Sequence, residues 1–446
     1  MILMPARFIL VVLCIVGAFA LAWHGRTLPI LKFPSPPTVG TSPATILSKL
    51  PILGDKLPFE KSYKAAVSKT QNSPKLVRNW VELGELLAQL QRETGNSAYF
   101  DHAASIYQEA MRLDPQNVAA MTGMAWVTGG GHRFDQSIQW ANRALATQAD
   151  YPDAFGIMGD AALELGDYDS AYAHYQKMMD LRPDLSSWAR GAHLLWLTGK
   201  APQAISLMEK AIRSGAPYAE NTAWCRARLA NMHFTQGALL PAQMAIQSPL
   251  DAGTKNVHIL LIAAKIAAAR QEHESAAAFY HKVLESYPNL EAFAGLGDLM
   301  AVQNKHEDAE NFYLQVEALH DANLQAGTHD HGFMARFYAD RDRKLPEALR
   351  MAEEHKLTLN VLEADTLAWV YYKNNLLSQA IDAIKRALAQ NTPDPEIHYH
   401  AGMIARAHGD LKSANFHFAK AIALNPNFSI LQSRRIPNST NHAKNP

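Results

Sequence analysis

A small residue, an aromatic four positions on, a small or apolar residue three further and a proline five after that recur along this 446-residue chain. Ala103, Tyr107, Ala110 and Pro115 form the first set. Ala171, Tyr175, Met178 and Pro183 repeat it, as do Ala276, Tyr280, Val283 and Pro288, and Ala414, Phe418, Ala421 and Pro426. Steps of four and three put three side chains on one helical face. Proline, without an amide hydrogen, ends that helix. A partner pattern runs through other segments: Trp80-x2-Leu83-Gly84-x2-Leu87, Phe155-x2-Met158-Gly159-x2-Ala162 and Phe293-x2-Leu296-Gly297-x2-Met300. Its glycine lets a second helix approach closely, and Gly166-Asp167 supplies a tight interhelical turn. One antiparallel helix pair cannot bury its apolar face alone, so a chain built this way must stack its units into an array.

Composition agrees and excludes several alternatives. Hydrophobic residues make up 48% and charged ones 19%, a folded rather than disordered balance. Lys plus Arg and Asp plus Glu each total 42, which argues against a nucleic-acid binder and a polybasic membrane-surface protein. Two cysteines, Cys14 and Cys225, cannot form a disulfide framework or a cysteine-rich zinc site, and Cys225 is expected to be buried.

These motifs resemble the signature of the tetratricopeptide repeat family, W-x2-L-G-x2-Y followed by A-x3-F and P at a period of 34. The best matches are 152–185, 257–290 and 395–428. Laid along the chain, the period places units near 77, 118, 152, 185, 221, 257, 290, 329, 361 and 395. The fifth is irregular, with Pro241 inside its second helix and Pro249 and Gly253 shortening it. A loop over 321–328 is expected before the eighth. The resemblance implies an all-α, right-handed α-solenoid of about ten helix-turn-helix units over 77–428. The C-terminal stretch, with Asp365-Thr366-Leu367-Ala368-Trp369 and Tyr399-His400-Ala401-Gly402, also resembles exported bacterial tetratricopeptide proteins of undefined role.

Ahead of the array, residues 8–23 carry no charge and are followed by prolines 29, 34, 36, 37, 43, 51, 58 and 74. Residues 1–22 are therefore expected to be a signal peptide or membrane-anchoring helix, with small residues at Ala18, Ala20 and Ala22 for cleavage. Residues 23–58 follow as a Pro-rich linker, 59–76 as a possible leading helix, and 429–446 as a flexible tail. Either N-terminal option is expected to export the chain to the periplasm or the outer face of a membrane, the anchor option tethering it through residues 8–23.

Catalytic motifs are missing: no G-x4-G-K, G-x-S-x-G, H-E-x-x-H or C-x-x-C occurs. Gly129-Gly130-Gly131-His132 lacks the following Lys-Ser/Thr of a phosphate loop and reads as a turn. His329 and His331 are two apart, poor spacing for a shared helical metal site. No enzyme activity, cofactor or metal is expected. The resemblance implies that positions 2, 5, 9 and 12 of each first helix line a concave groove. In the last three units those positions include Phe333 and Phe337, then Asp365, Trp369 and Tyr372, then Tyr399, Met403 and Arg406. Exposed aromatics beside an arginine are the usual anchors of protein interfaces. This set is the expected partner-binding surface; units two to four offer Trp126, His193 and Trp196. The expected partner is a peptide or helix of another exported or membrane protein, with no nucleic acid. An accessory subunit of an envelope enzyme or secretion complex is the alternative.

Overall fold

The computed structural model describes residues 42–53, 60–94, 96, 98–217, 219–325, 330–354 and 360–436. The signal or anchor reading of 1–22 lies outside these residues, as do 23–41 and 54–58 of the linker and 437–446 of the tail. Among the described residues there are 22 α-helices and no strand. No helix among them is long and apolar enough to cross a membrane. Residues from Ser42 onward form one compact unit.

Two helices lead, α1 (Pro43–Ser48) and α2 (Glu60–Asn72). Ten antiparallel pairs follow. They are α3 (Val77–Thr94) with α4 (Ala98–Leu113), α5 (Val118–Gly130) with α6 (Phe134–Thr147), and α7 (Pro152–Glu164) with α8 (Tyr168–Leu181). Next come α9 (Leu185–Leu197) with α10 (Ala201–Ser214), α11 (Glu220–Thr235) with α12 (Leu239–Asp251), and α13 (Val257–Ala269) with α14 (His273–Ser286). The last four are α15 (Leu290–Val302) with α16 (His306–Gln325), α17 (His331–Asp340) with α18 (Leu345–Glu354), α19 (Val361–Lys373) with α20 (Leu377–Leu388), and α21 (Pro395–Ala407) with α22 (Leu411–Leu424).

The repeated residues build each pair. Tyr175 of α8 lies against Gly159 of α7, where a Cβ would sit 2.3 Å from the ring. The missing side chain sets the helix spacing, and Ala171 and Met178 complete the same buried face. Gly166, at φ 75°, turns the chain between these helices, and Asp167 caps α8 by accepting from the Ser170 amide at 3.1 Å. Stacking of successive pairs then buries a series of apolar clusters along the array.

Four details refine or correct the sequence reading. Residues 43–53, assigned to the linker, pack onto the first unit: Leu47 and Leu53 join its core, and Tyr63 donates to the Pro51 carbonyl at 3.0 Å. Pro241 falls in the first turn of α12, where backbone amides lack helical acceptors anyway. Pro249 lies inside α12, and the Ala245 carbonyl it leaves free accepts from Arg226 Nη1 at 3.3 Å. The loop expected from 321 is helical through Gln325 as the end of α16.

Distant units also touch. Arg92 of unit one pairs with Glu220 of unit five at 3.2 Å, and its carbonyl accepts from His258 Nε2 of unit six at 2.9 Å. Tyr287 donates to the Glu93 carbonyl at 2.9 Å. Asn360 Nδ2 donates to Glu164 at 2.7 Å, the Val361 amide donates to the Tyr168 hydroxyl at 2.9 Å, and Asn425 Nδ2 donates to the Phe234 carbonyl at 2.7 Å. The last three pairs are 196, 193 and 191 residues apart. At 34 residues per unit, that is between five and six units. Successive coils of the solenoid thus rest on one another; one groove lies among units one to five, the N-terminal groove, and another among units five to ten, the C-terminal groove.

Candidate functional site

The C-terminal groove holds part of the chain itself. Beyond α22, residues 427–436 run back across units six to ten. Phe428 is 5% exposed, and its ring lies 5.7 Å from that of Tyr399. Ile430 packs on the core of units six and seven, and Ile436 on that of units seven to ten. Gln432 donates to Asp340 at 2.6 Å and lies 3.3 Å from His400 Nε2. Within 429–436, expected to begin a flexible tail, Ile430, Gln432 and Ile436 are therefore packed, while Arg434 and Arg435 are exposed.

The expected partner surface is corrected accordingly. Phe337, Asp365, Trp369 and Tyr399 are buried rather than open, while Phe333, Tyr372 and Met403 are half-buried and Arg406 alone is exposed. Trp369 stacks on His400 at 4.2 Å and on Tyr372 at 5.1 Å, while Phe337 stacks with Phe333 at 6.3 Å. Arg341 lies over the Phe337 ring at 4.5 Å. These aromatics share one face, as their spacing requires, but that face is internal packing.

Beneath the segment lies a charged network that spans three units. Arg336 donates to Asp365 and to Glu396, each at 2.8 Å, and lies 3.5 Å from Asp340. His400 Nδ1 approaches both Asp365 oxygens at 2.9 and 3.0 Å. Burial pushes the Asp365 carboxyl up, but His400 and Arg336 outweigh it and hold the group at about 2. Burial pushes Glu396 and Asp394 up. Neither His400 nor this network showed in the sequence, because the bonds that join its units link residues 29, 35 and 60 apart, which meet only after stacking.

The N-terminal groove is open. It encloses a cavity of about 1080 Å³ that units one to five surround. Trp126, Tyr151 and Trp224 supply aromatic lining, and Arg92 lies 5.5 Å from the Trp126 ring. Of the residues singled out from units two to four, Trp126 and His193 line this cavity, whereas Trp196 is buried in the core. The lining charges are Lys69, Arg92 and Arg190 against Glu82, Glu85, Asp153, Asp160, Glu164 and Glu220. Four ion pairs tie much of this charge down: Lys69 with Glu82, Arg92 with Glu220, Arg190 with Asp160, and Arg182 with Asp153. Burial, then the charges of Asp153 and Glu82, push Glu85 up. Burial and Arg228 push His193 well down.

Glu164 titrates near neutrality. Burial and then the negative charge of Glu363 push its carboxyl up to about 7, Asp160 adds to them, and Asn360 and Arg228 oppose. Because the folded-state value lies above the ordinary 4.5, the neutral form stabilises the fold fully below pH 4.5, and that stability is lost as pH rises through 7. Glu164→Gln keeps an acceptor for Asn360 without the charge. It should match the parent near pH 4.5 and exceed it at pH 8 by about 1 kcal/mol, less than the full shift because water enters the groove. Thermal melts at the two pH values test this; a difference independent of pH counts against it.

Elsewhere, Cys225 is buried and its thiol is pushed up to about 12, chiefly by burial, so it is a core residue with little thiolate. The Gly129–Gly131 run ends α5 and turns the chain at His132, which has a φ of 55°. His320 and His331 lie 6.2 Å apart ring to ring, and no cluster of three potential metal ligands occurs among the described residues.

A solenoid of stacked antiparallel helix pairs with a concave groove is a helical-repeat architecture. Three segments, 152–185, 259–290 and 366–427, match tetratricopeptide repeat family models. Over these segments the chain carries tetratricopeptide repeats, a repeat that generally serves as a non-catalytic protein-interaction scaffold. It is similar to an Hsp70-Hsp90 organizing protein of Triticum aestivum, with 29% identity over 93 residues. That match covers 20% of this chain and only 16% of the relative. A solved structure from the characterisation of Pseudomonas aeruginosa pilF shares 20% identity over 52% of this chain and 96% of its own, with a TM-score of 0.34. A tetratricopeptide repeat protein of Parabacteroides merdae shares 17% over 58% of this chain and 90% of its own, with a TM-score of 0.38.

Proposed function

We propose that the chain is an exported scaffold that binds an extended segment of a partner protein in the N-terminal groove. The cavity of about 1080 Å³ between units one and five carries this reading. It is concave, has aromatic faces at Trp126, Tyr151 and Trp224, and offers both charge signs for hydrogen bonding. Aromatic anchors of this kind supply most of the energy where a partner is bound. Export rests on the uncharged run 8–23.

A photocrosslinking residue at Ala119, which lines the cavity, should capture the partner in native cells. The same residue at Leu314, exposed on the second helix of unit seven, should not. Replacing Trp126 and Trp224 by alanine should reduce capture at least tenfold, the effect of losing an interface anchor of about 2 kcal/mol, while far-ultraviolet circular dichroism stays unchanged. Equal capture from both positions, or capture that survives the double substitution, counts against this groove.

A further inference from the structure

Residues 427–436 touch the groove mainly through side chains. Among the described residues, the backbone amide hydrogen bonds of the segment stay local: Asn427 to Asn425 Oδ1, Gln432 to Ser429 Oγ, Ser433 to the Ser429 carbonyl, and Arg435 to the Gln432 carbonyl. None joins its backbone to a repeat helix. The segment has one short 3-10 turn, Ser433–Arg435, and no helix of its own. It hangs from the end of α22 through Asn425-Pro426, so it can leave the groove without unwinding a repeat.

The fit is also incomplete. A cavity of about 450 Å³ persists between the segment and the groove floor, lined on one side by Asn427 to Gln432 and on the other by residues such as Lys265, Glu291, Arg336 and Asp394. Gln432 is 2% exposed, yet its Oε1 has no hydrogen-bond partner, whereas its Nε2 meets Asp340 and His400. The groove therefore uses the donor half of this amide and leaves the acceptor half unsatisfied. Its wall acids Glu291, Asp298, Asp340, Asp394 and Glu396 outnumber Lys265, Arg336 and Arg341, so it favours hydrogen-bond donors and positive charge. Arg435 at 3.8 Å from Asp342 follows the same rule.

We propose that units six to ten form a second segment-binding site, held in cis by residues 427–436. Its outside occupant is an extended partner segment with a leading aromatic and, four positions on, an amide or cationic donor. Phe428 and Gln432 mark those two subsites: an aromatic seat on Tyr399 and a donor seat at Asp340 beside His400. A partner reaches the site only by displacing the resident segment. This site is separate from the N-terminal groove and does not depend on it.

The probe is a fluorescein-labelled synthetic peptide of residues 427–436. Full-length chain carrying Phe428→Ala and Gln432→Ala should bind it one to one, at least tenfold more tightly than the parent chain does. Placing Gln432→Ala in the peptide, or Asp340→Asn in the doubly substituted chain, should weaken binding at least tenfold. Replacing Trp126 and Trp224 by alanine should leave it unchanged, which separates this site from the proposed function of the other groove. Equal binding to parent and variant, or no binding to either, overturns the proposal. So does loss of helical circular dichroism in the doubly substituted chain, since the segment would then be part of the core rather than a ligand.

Discussion

A Trp369→Ala chain is expected to lose about 3–5 kcal/mol of stability, the usual cost of emptying a buried tryptophan site. The side chain is 1% exposed. Its indole stacks on His400 at 4.2 Å and Tyr372 at 5.1 Å, with Tyr399 at 5.7 Å and Lys373 Nζ 5.2 Å from the ring. Truncation leaves a void and also releases His400, the ring that holds Asp365. A repeat array transmits such losses mainly to neighbouring units, so units eight to ten should unfold first. Hydrogen exchange should show amides of α17, α19 and α21 losing protection well before those of α3 and α5. Arg406→Ala, at an exposed position of the same set, should stay within about 0.5 kcal/mol. Had the aromatic set been an open interface, Trp369→Ala would change stability little and partner binding much. A loss below about 1 kcal/mol would restore that reading.

That outcome bears on what the sequence can convey. The helix pairs were legible because their determinants are local: Gly159 meets Tyr175 across one turn, and Ala171, Tyr175 and Met178 share a face by spacing alone. The face that Phe337, Trp369 and Tyr399 share was legible for the same reason. Whether that face is open was not. It depends on the coil of the solenoid, which sums small rotations over five to six units until Asn360 meets Glu164 and Asn425 meets Phe234. No periodicity marks such a meeting, nor the return of Phe428 and Gln432, single residues in an aperiodic segment.

Two other differences did leave a trace. Ser42-Pro43 is a helix-start signal, with serine at the cap accepting from the Thr45 amide at 3.2 Å and proline at the first helical position. The density of prolines around it hid that signal. From His306 to Gln325 no glycine or proline interrupts the chain, and the first breaker is Gly327, which fits the observed length of α16.

Arg336→Ala should be as damaging as the loss of Trp369, and for an electrostatic reason. One guanidinium joins unit eight to units nine and ten through Asp365 and Glu396, each at 2.8 Å, and meets Asp340 on its own helix. Burial pushes that guanidinium down, but Asp365, Asp340 and Glu396 outweigh burial and hold it well above its ordinary value. Removing it leaves these carboxylates close together, with Asp394 nearby, in surroundings poor in water. Breaking a buried pair from one side costs about 3–5 kcal/mol, because the remaining charge is uncompensated. The sign of the pH dependence follows. Asp365 is held at about 2 in the fold, below the ordinary 3.8, so its network contributes stability above pH 3.8 and loses it as pH falls through 2. Without Arg336 the depressed value rises and that contribution shrinks. Burial already pushes Glu396 and Asp394 up, and both would protonate more readily still. The stability gap between parent and Arg336→Ala should therefore be widest near pH 7 and narrow towards pH 4, where the abandoned carboxylates take up protons. Arg336→Met in combination with Asp365→Asn and Glu396→Gln should recover much of the loss at pH 7, since it removes the uncompensated charges along with their partner. Urea midpoints at pH 4 and 7 measure both effects. A gap of equal size at the two pH values would mean that Arg336 acts through the packing of its aliphatic stem rather than through its charge.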